Sequence, residues 1–224
     1  MNRIRVKICG VTTPEDARLA AECGADAIGI NFYEKSPRYV DPRQAGALVR
    51  GLPPLLDTVG VFVGLKTRQV CAIAYQLGLH SVQYLVDPSD TVDSFPFRRI
   101  AAFRVKDRGS LAEIDRYLSA AAARGALPAA VLVDAHVEGQ FGGTGQKAPW
   151  ELLAGFRPSV PLILAGGLTP ENVAAAIAVV KPYAVDVASG VEASRGKKDP
   201  DKVRRFIEAV HGASPPNLER EDQR

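Results

Sequence analysis

Lys7-Ile-Cys-Gly10, near the start of the chain, and Asp186-Val-Ala-Ser-Gly-Val-Glu192, near its end, each close an apolar run and turn at once into small residues. A strand that ends in Ser189-Gly190 frees backbone N–H groups at the start of a short helix, which is a seat for a phosphate. A strand that ends in Cys9-Gly10 carries a thiol to its tip, the position where closed α/β barrels keep their reactive groups. If both tips lie on one face, a reactive group faces an anchored phosphate.

Between these two segments, apolar runs alternate with helix-like runs. The strand candidates are Ile4–Cys9, Asp26–Phe32, Thr58–Val63, Ser81–Leu85, Arg99–Val105, Ala129–Asp134, Pro161–Ala165 and Ala184–Ala188. Most are dense in Val, Ile and Leu, as parallel strands covered by helices are. The helix candidates are Pro14–Cys23, Pro42–Arg50, Thr67–Leu77, Ser110–Arg124, Pro149–Leu153, Pro170–Val180 and Asp199–His211, with a short, weak slot at Asp90–Phe95. Thr13-Pro14, Asp41-Pro42 and Thr169-Pro170 each place a capping residue before a proline, a helix-start signal. Eight strand–helix units point to a closed (β/α)8 TIM barrel, a single α/β domain over residues 1–212. Residues 213–224 are expected to form a disordered C-terminal tail. An open doubly wound sheet is the rival, but no GxGxxG follows the first strand.

The bulk composition narrows the partners. The 224 residues suit one domain, and 46% hydrophobic with 24% charged content is ordinary for a globular chain. Twenty-eight basic against 25 acidic residues leave a net charge of +3. That surplus does not argue for nucleic acid, and no basic patch is interleaved with aromatics. No run reaches about 18 apolar residues, so no membrane partner is expected. Three cysteines (Cys9, Cys23, Cys71) make no paired framework, and the expected compartment is the reducing cytoplasm. The histidines (His80, His136, His211) show no metal spacing, so no metal is expected.

Strand alternation puts Lys7 and Cys9 on one side and Val6 and Ile8 on the other. The aliphatic side suits the helix shell, which leaves Lys7 and Cys9 for the interior. A partly ionised thiol can act as a base; a buried packing cysteine is the alternative. Lys7 needs a carboxylate, and Asp186, on the strand that closes the barrel against the first, is the expected partner. An ammonium there is expected to lower the Cys9 pKa below the usual 8.5 or so. Asp134 ends the sixth strand and is an acid/base candidate, with a loop cap as its alternative. Arg38, in Ser36-Pro-Arg38, has the fork to hold a carboxylate with two parallel bonds; a solvated loop arginine is the alternative. Glycine-rich turns follow strands six (Gly142-Gly-Thr-Gly145), seven (Gly166-Gly167) and eight (Ser189-Gly190), and the turns after strands seven and eight are where barrels commonly bind phosphate.

Seven pieces in register carry a resemblance: Val6-Lys-Ile-Cys-Gly-Val-Thr12, Ser36-Pro-Arg38, Val82-Gln83, Val133-Asp134, Phe141-Gly-Gly-Thr-Gly145, Leu164-Ala-Gly-Gly-Leu-Thr-Pro-Glu-Asn172, and Asp186-Val-Ala-Ser-Gly-Val-Glu192 with Gly196-Lys-Lys-Asp199. The chain resembles the phosphoribosylanthranilate isomerases, barrel enzymes of tryptophan biosynthesis. The resemblance implies an intramolecular Amadori rearrangement of a phosphorylated small molecule, with no cofactor and no metal. It implies Cys9 as general base and Asp134 as general acid. Arg38, Gln83 and Asp186 would contact substrate. Gly143, Gly145, Gly166, Gly167, Ser189 and Gly190 would hold its phosphate. Two positions depart from the family pattern: Tyr84-Leu85-Val86 follows Gln83 where Leu-His-Gly is usual, and Ala188 stands where serine is usual. A related isomerase of the histidine pathway would carry aspartate at the first strand, and Cys9 argues against it. A non-catalytic, phosphate-binding barrel would have lost the acid or the base, and both are present. A monomer is the expected state, with a homodimer as the alternative.

Overall fold

Eight parallel strands pair in chain order and close into a barrel: β1 (Arg5–Cys9), β2 (Ala27–Asn31), β3 (Asp57–Phe62), β4 (Ser81–Leu85), β5 (Arg98–Arg104), β6 (Ala130–Asp134), β7 (Leu162–Ala165) and β8 (Ala184–Val187). The computed structural model describes residues 3–86, 95–134 and 150–213. Outside the strands run α1 (Pro14–Glu22), α2 (Pro42–Val49), α3 (Thr67–Leu77), α4 (Arg108–Ala123), α5 (Trp150–Leu153), α6 (Val173–Val180) and α7 (Pro200–Gly212). The barrel closes where β1 meets β8, with Lys7 opposite Asp186 and Ile8 opposite Val187. The weak slot at Asp90–Phe95 and the tail from residue 214 fall outside the described residues, apart from Phe95 itself.

The two faces of each strand have different jobs. Val6, Ile8, Ile28, Ile30, Val131, Val133, Leu164 and Val185 point outward into the helix shell and are buried. Val59, Ile100, Leu132 and Ile163 fill the interior together with the small residues Ala102, Ala130, Ala165 and Ala184. Such filling makes the barrel a packed core rather than a pore. No described helix is long and apolar enough to cross a membrane.

Two of the three cap-and-proline starts are built as read: Thr13 accepts from the Asp16 amide and Asp41 from the Arg43 amide, each before a proline in the first turn. At the expected start of the last helix, Asp199 accepts from the amides of Asp201 and Lys202 before Pro200. The third cap-and-proline start differs. Pro170–Asn172 forms a separate turn, and α6 begins at Val173. The cause is Asn172, whose side chain accepts from the Thr169 amide at 2.8 Å and donates to the Gly167 carbonyl at 2.9 Å. It ties the turn after β7 in place before the helix starts. A hairpin of β9 (Glu192–Ser194) and β10 (Lys197–Lys198) also follows β8. Strands this short, built of charged and small residues, carry no alternation to read.

The amphipathic helix α7 buries Val203, Phe206, Ile207 and Val210 against the barrel. Phe206→Ala should therefore cost about 3–5 kcal/mol of stability, the usual loss for a truncated core aromatic. Urea unfolding measures it; a loss under about 1 kcal/mol would mean that α7 is not part of the core.

Candidate active site

The strand order fixes how the rim is arranged. Cys9 is the last residue of β1 and Asp134 the last of β6, with β7 and β8 between them. The turns after those two strands are the expected phosphate seat, so the seat lies between the base and acid candidates. Arg38 lies on the other side of β1, in the loop after β2. That loop is shaped by the Ser36 hydroxyl, which accepts from the Asn31 side chain at 3.2 Å and from the Arg38 amide at 3.1 Å.

Within the barrel, Lys7 donates to Asp186 at 2.7 Å and to the Gln83 side-chain oxygen at 3.0 Å. All three residues are buried. A buried ammonium needs such acceptors, because desolvation otherwise disfavours its charge. Burial works to lower the Lys7 pKa, but Asp186 and Cys9 outweigh it and raise it, so Lys7 is a permanent cation. Gln83 and Asp186, expected to contact substrate, are both joined to Lys7.

Cys9 sits beside this group, with its sulfur and the Lys7 side-chain stem both packed against Gly29 on β2. Here the expectation of a depressed thiol pKa is overturned. Burial and the Asp186 carboxylate push the Cys9 thiol up, and the opposing pull of Lys7 and Lys198 does not cancel them. Gly29, opposite Cys9 on β2, is a clearance beside the thiol that the sequence reading missed. A Cβ at Gly29 would stand 2.8 Å from the Cys9 sulfur and 3.2 Å from the Lys7 side chain. The available signal was a glycine inside the apolar strand Ile28-Gly29-Ile30, which marks close approach.

A second charged group lies at the surface end of β1. Arg38 donates from Nε and Nη2 to the two carboxylate oxygens of Glu192, at 2.6 and 2.7 Å. Lys198, whose side chain is fully buried, donates to the carbonyls of Cys9 (2.7 Å) and Ala188 (3.1 Å) and to Glu192 (3.2 Å). Those three acceptors match the three donors of an ammonium. Burial opposes ionisation of Glu192, yet Arg38 and Lys198 hold its carboxyl below the usual range. Burial also lowers the Lys198 pKa, partly offset by Glu192. Glu192 and Lys198 lay inside the motifs quoted from the sequence, but nothing local linked either to Arg38.

Gly166 and Gly167 turn the chain after β7 with φ of +92° and +63°, values that glycine adopts at no cost. Ser189 and Gly190 open a 3-10 helix at Ser189–Val191, whose first N–H groups have no partner within it. A Cβ on Gly190 would collide with the Leu168 carbonyl, so the turns after β7 and β8 are packed against each other. Gly143 and Gly145 lie outside the described residues. The arrangement can seat an anion between a thiol on one strand tip and a carboxyl on another.

Comparison with known proteins agrees with this geometry. Residues 6–209 match the family model described as N-(5'phosphoribosyl)anthranilate (PRA) isomerase. A Geobacter sulfurreducens N-(5'-phosphoribosyl)anthranilate isomerase is 46% identical over 210 residues, covering 93% of this chain and 99% of that one. The crystal structure of phosphoribosyl anthranilate isomerase from Thermotoga maritima superposes with a TM-score of 0.82 at 37% identity, covering 93% and 99% of the two chains. A phosphoribosyl anthranilate isomerase in complex with reduced 1-(o-carboxyphenylamino)-1-deoxyribulose 5-phosphate gives a TM-score of 0.78 at 36% identity, with the same coverage.

Two measurements probe the Cys9 environment. The rate of Cys9 alkylation against pH should have its midpoint above the ordinary thiol value of about 8.5 and move higher still in Lys7→Met. A midpoint that does not move would deny Lys7 any hold on the thiolate. Gly29→Ala should slow the alkylation by crowding the sulfur, while Cys23 and Cys71 react at unchanged rates.

Proposed function

Because the chain belongs to the N-(5'-phosphoribosyl)anthranilate isomerase family, we propose that its barrel mouth isomerises N-(5'-phosphoribosyl)anthranilate to 1-(o-carboxyphenylamino)-1-deoxyribulose 5-phosphate, a step of tryptophan biosynthesis. The observation that carries the reading is the Cys9 thiol, set beside the buried Lys7–Asp186 pair and sharing a rim with Asp134.

The substrate phosphate sits on the turns after β7 and β8, at Gly166, Gly167, Ser189 and Gly190; the resemblance adds Gly143 and Gly145, which lie outside the described residues. Asp134 gives its proton to the ribose ring oxygen. The C1′–O4′ bond breaks as the anthranilate nitrogen lone pair forms C1′=N, leaving an iminium. That cation makes the C2′ hydrogen acidic, and the Cys9 thiolate removes it. The electron pair of the C2′–H bond forms an enolamine, which takes a proton at C1′ and gives up the proton of its C2′ hydroxyl to become the ketone. C1′ is reduced as C2′ is oxidised, so the step needs no external oxidant. Arg38 holds the anthranilate carboxylate, and Gln83 and Asp186 line the sugar subsite through their bonds to Lys7.

The raised thiol pKa has a consequence for rate. Each pH unit below it cuts the thiolate fraction about tenfold, while the thiolate that forms is a stronger base. The turnover rate should climb from neutral into alkaline pH and level only above about 8.5. A flat profile from pH 7 to 9 would remove Cys9 from the rate-limiting proton transfer.

The reading is tested by adding purified protein to freshly generated phosphoribosylanthranilate and following the decay of its fluorescence. Cys9→Ser and Asp134→Asn should each lower turnover by about 10²–10⁴, the usual worth of a positioned acid or base, without loss of fold. Near-normal turnover in either variant removes that residue from the mechanism. Arg38→Lys keeps the charge and loses the fork, so it should weaken binding of the product more than that of an analogue without the ring carboxylate.

A further inference from the structure

Arg38 is held on three sides. Its amide is bonded to the Ser36 hydroxyl at the base of the loop. Its side-chain stem crosses directly over Gly10, where a Cβ would collide with it and where φ of +70° already favours glycine. Its Nε–Nη2 edge is taken by both oxygens of Glu192. A guanidinium has five N–H groups, and Glu192 uses one on Nε and one on Nη2. The Nη1–Nη2 edge remains, and it has no protein acceptor among the described residues. That edge is a second fork of the shape that matches a carboxylate.

Glu192 is itself held by buried contacts. Its side chain is 5% exposed and accepts from Lys198 at 3.2 Å, and its carbonyl accepts from Lys202 at 2.8 Å. It opens the β9–β10 hairpin, paired with Lys198. Two cations, Arg38 and Lys198, face this one anion, so the group keeps one positive charge in excess. An incoming carboxylate therefore meets an attractive field even though a carboxylate is already present. Freed of Glu192, the guanidinium would swing among the rotamers of a long side chain, and a ligand would have to immobilise it on binding.

We propose that Glu192, anchored by Lys198, is a positioning residue that aims the open edge of Arg38 at the ring carboxylate of the substrate. The proposal rests on Arg38 being the reader of that carboxylate. Glu192 touches no reacting atom. It acts by pre-setting the fork, so its removal changes selectivity for a carboxylated ligand rather than the chemistry.

The test compares two probes by calorimetry: reduced 1-(o-carboxyphenylamino)-1-deoxyribulose 5-phosphate and the anilino compound that lacks its carboxylate. In Glu192→Gln the first should bind about tenfold more weakly, as expected for loss of a charge-assisted bidentate contact, and the second should change by less than about twofold. KM should rise with little change in kcat. Arg38→Met sets the floor of selectivity, and the double variant should fall no lower. Equal weakening of both probes would make Glu192 a structural residue only and overturn the proposal. Tighter binding of the carboxylated probe would make Glu192 a competitor for Arg38 and overturn it as well. Unchanged selectivity in Glu192→Gln but not in Arg38→Met also sinks it, whereas unchanged selectivity in Arg38→Met sinks the reading of Arg38 beneath it. If Glu192→Gln does not fold, Glu192→Asp keeps the charge opposite Lys198 and shortens the reach to Arg38. A selective loss in that variant supports the proposal, and any other pattern overturns it.

Discussion

The register of β1 against β8 is the constraint on which the site depends. It sets Lys7 directly opposite Asp186 where the barrel closes. An ammonium there is almost wholly buried and must find an anion, and the closing strand supplies it at 2.7 Å. A slip of one residue in either strand would turn one of the pair outward into the apolar shell. The unpaired charge left inside would then cost several kcal/mol. Closure, charge pairing and the placement of Cys9 two residues beyond Lys7 are thus a single geometric event.

Two ion groups flank Cys9 and do different things to it. Inside the barrel, Lys7 favours the thiolate, while its partner Asp186 opposes it. Beyond the strand tip, Lys198 adds a second favourable cation and also holds the Cys9 carbonyl. Burial outweighs both cations, so the thiol stays protonated more readily than a free one. A base of this kind is strong when formed and formed rarely. The same trade appears wherever a nucleophile or base is kept dry: the surroundings that strengthen it also reduce its population.

Several glycines act as clearances. Gly29 leaves room for the thiol and the lysine stem, Gly10 lets Arg38 cross the end of β1, and Gly190 lets the turn after β8 touch the one after β7. Each absence of a Cβ brings together two elements distant in the chain. Arg38 and Glu192, bonded across 154 positions, meet only because Gly10 allows the crossing.

Local rules made much of this protein readable from its sequence. Period-two alternation separated Val6 and Ile8 from Lys7 and Cys9, cap-and-proline pairs marked the starts of α1 and α2, and eight alternations pointed to a barrel. The neighbouring of Lys7 and Asp186 followed from closure alone. Tertiary structure decided what depends on sums over distant groups. The sign of the Cys9 shift came from burial and two opposed charges, not from the nearest lysine. The partner of Arg38, the three acceptors of Lys198 and the clearance at Gly29 come from strands and loops far apart in the chain. Even the late start of α6 was set by Asn172 reaching back to the β7 turn. Alternation and capping are fixed by residues a few positions apart, whereas electric fields and contacts are fixed only when the whole chain has closed.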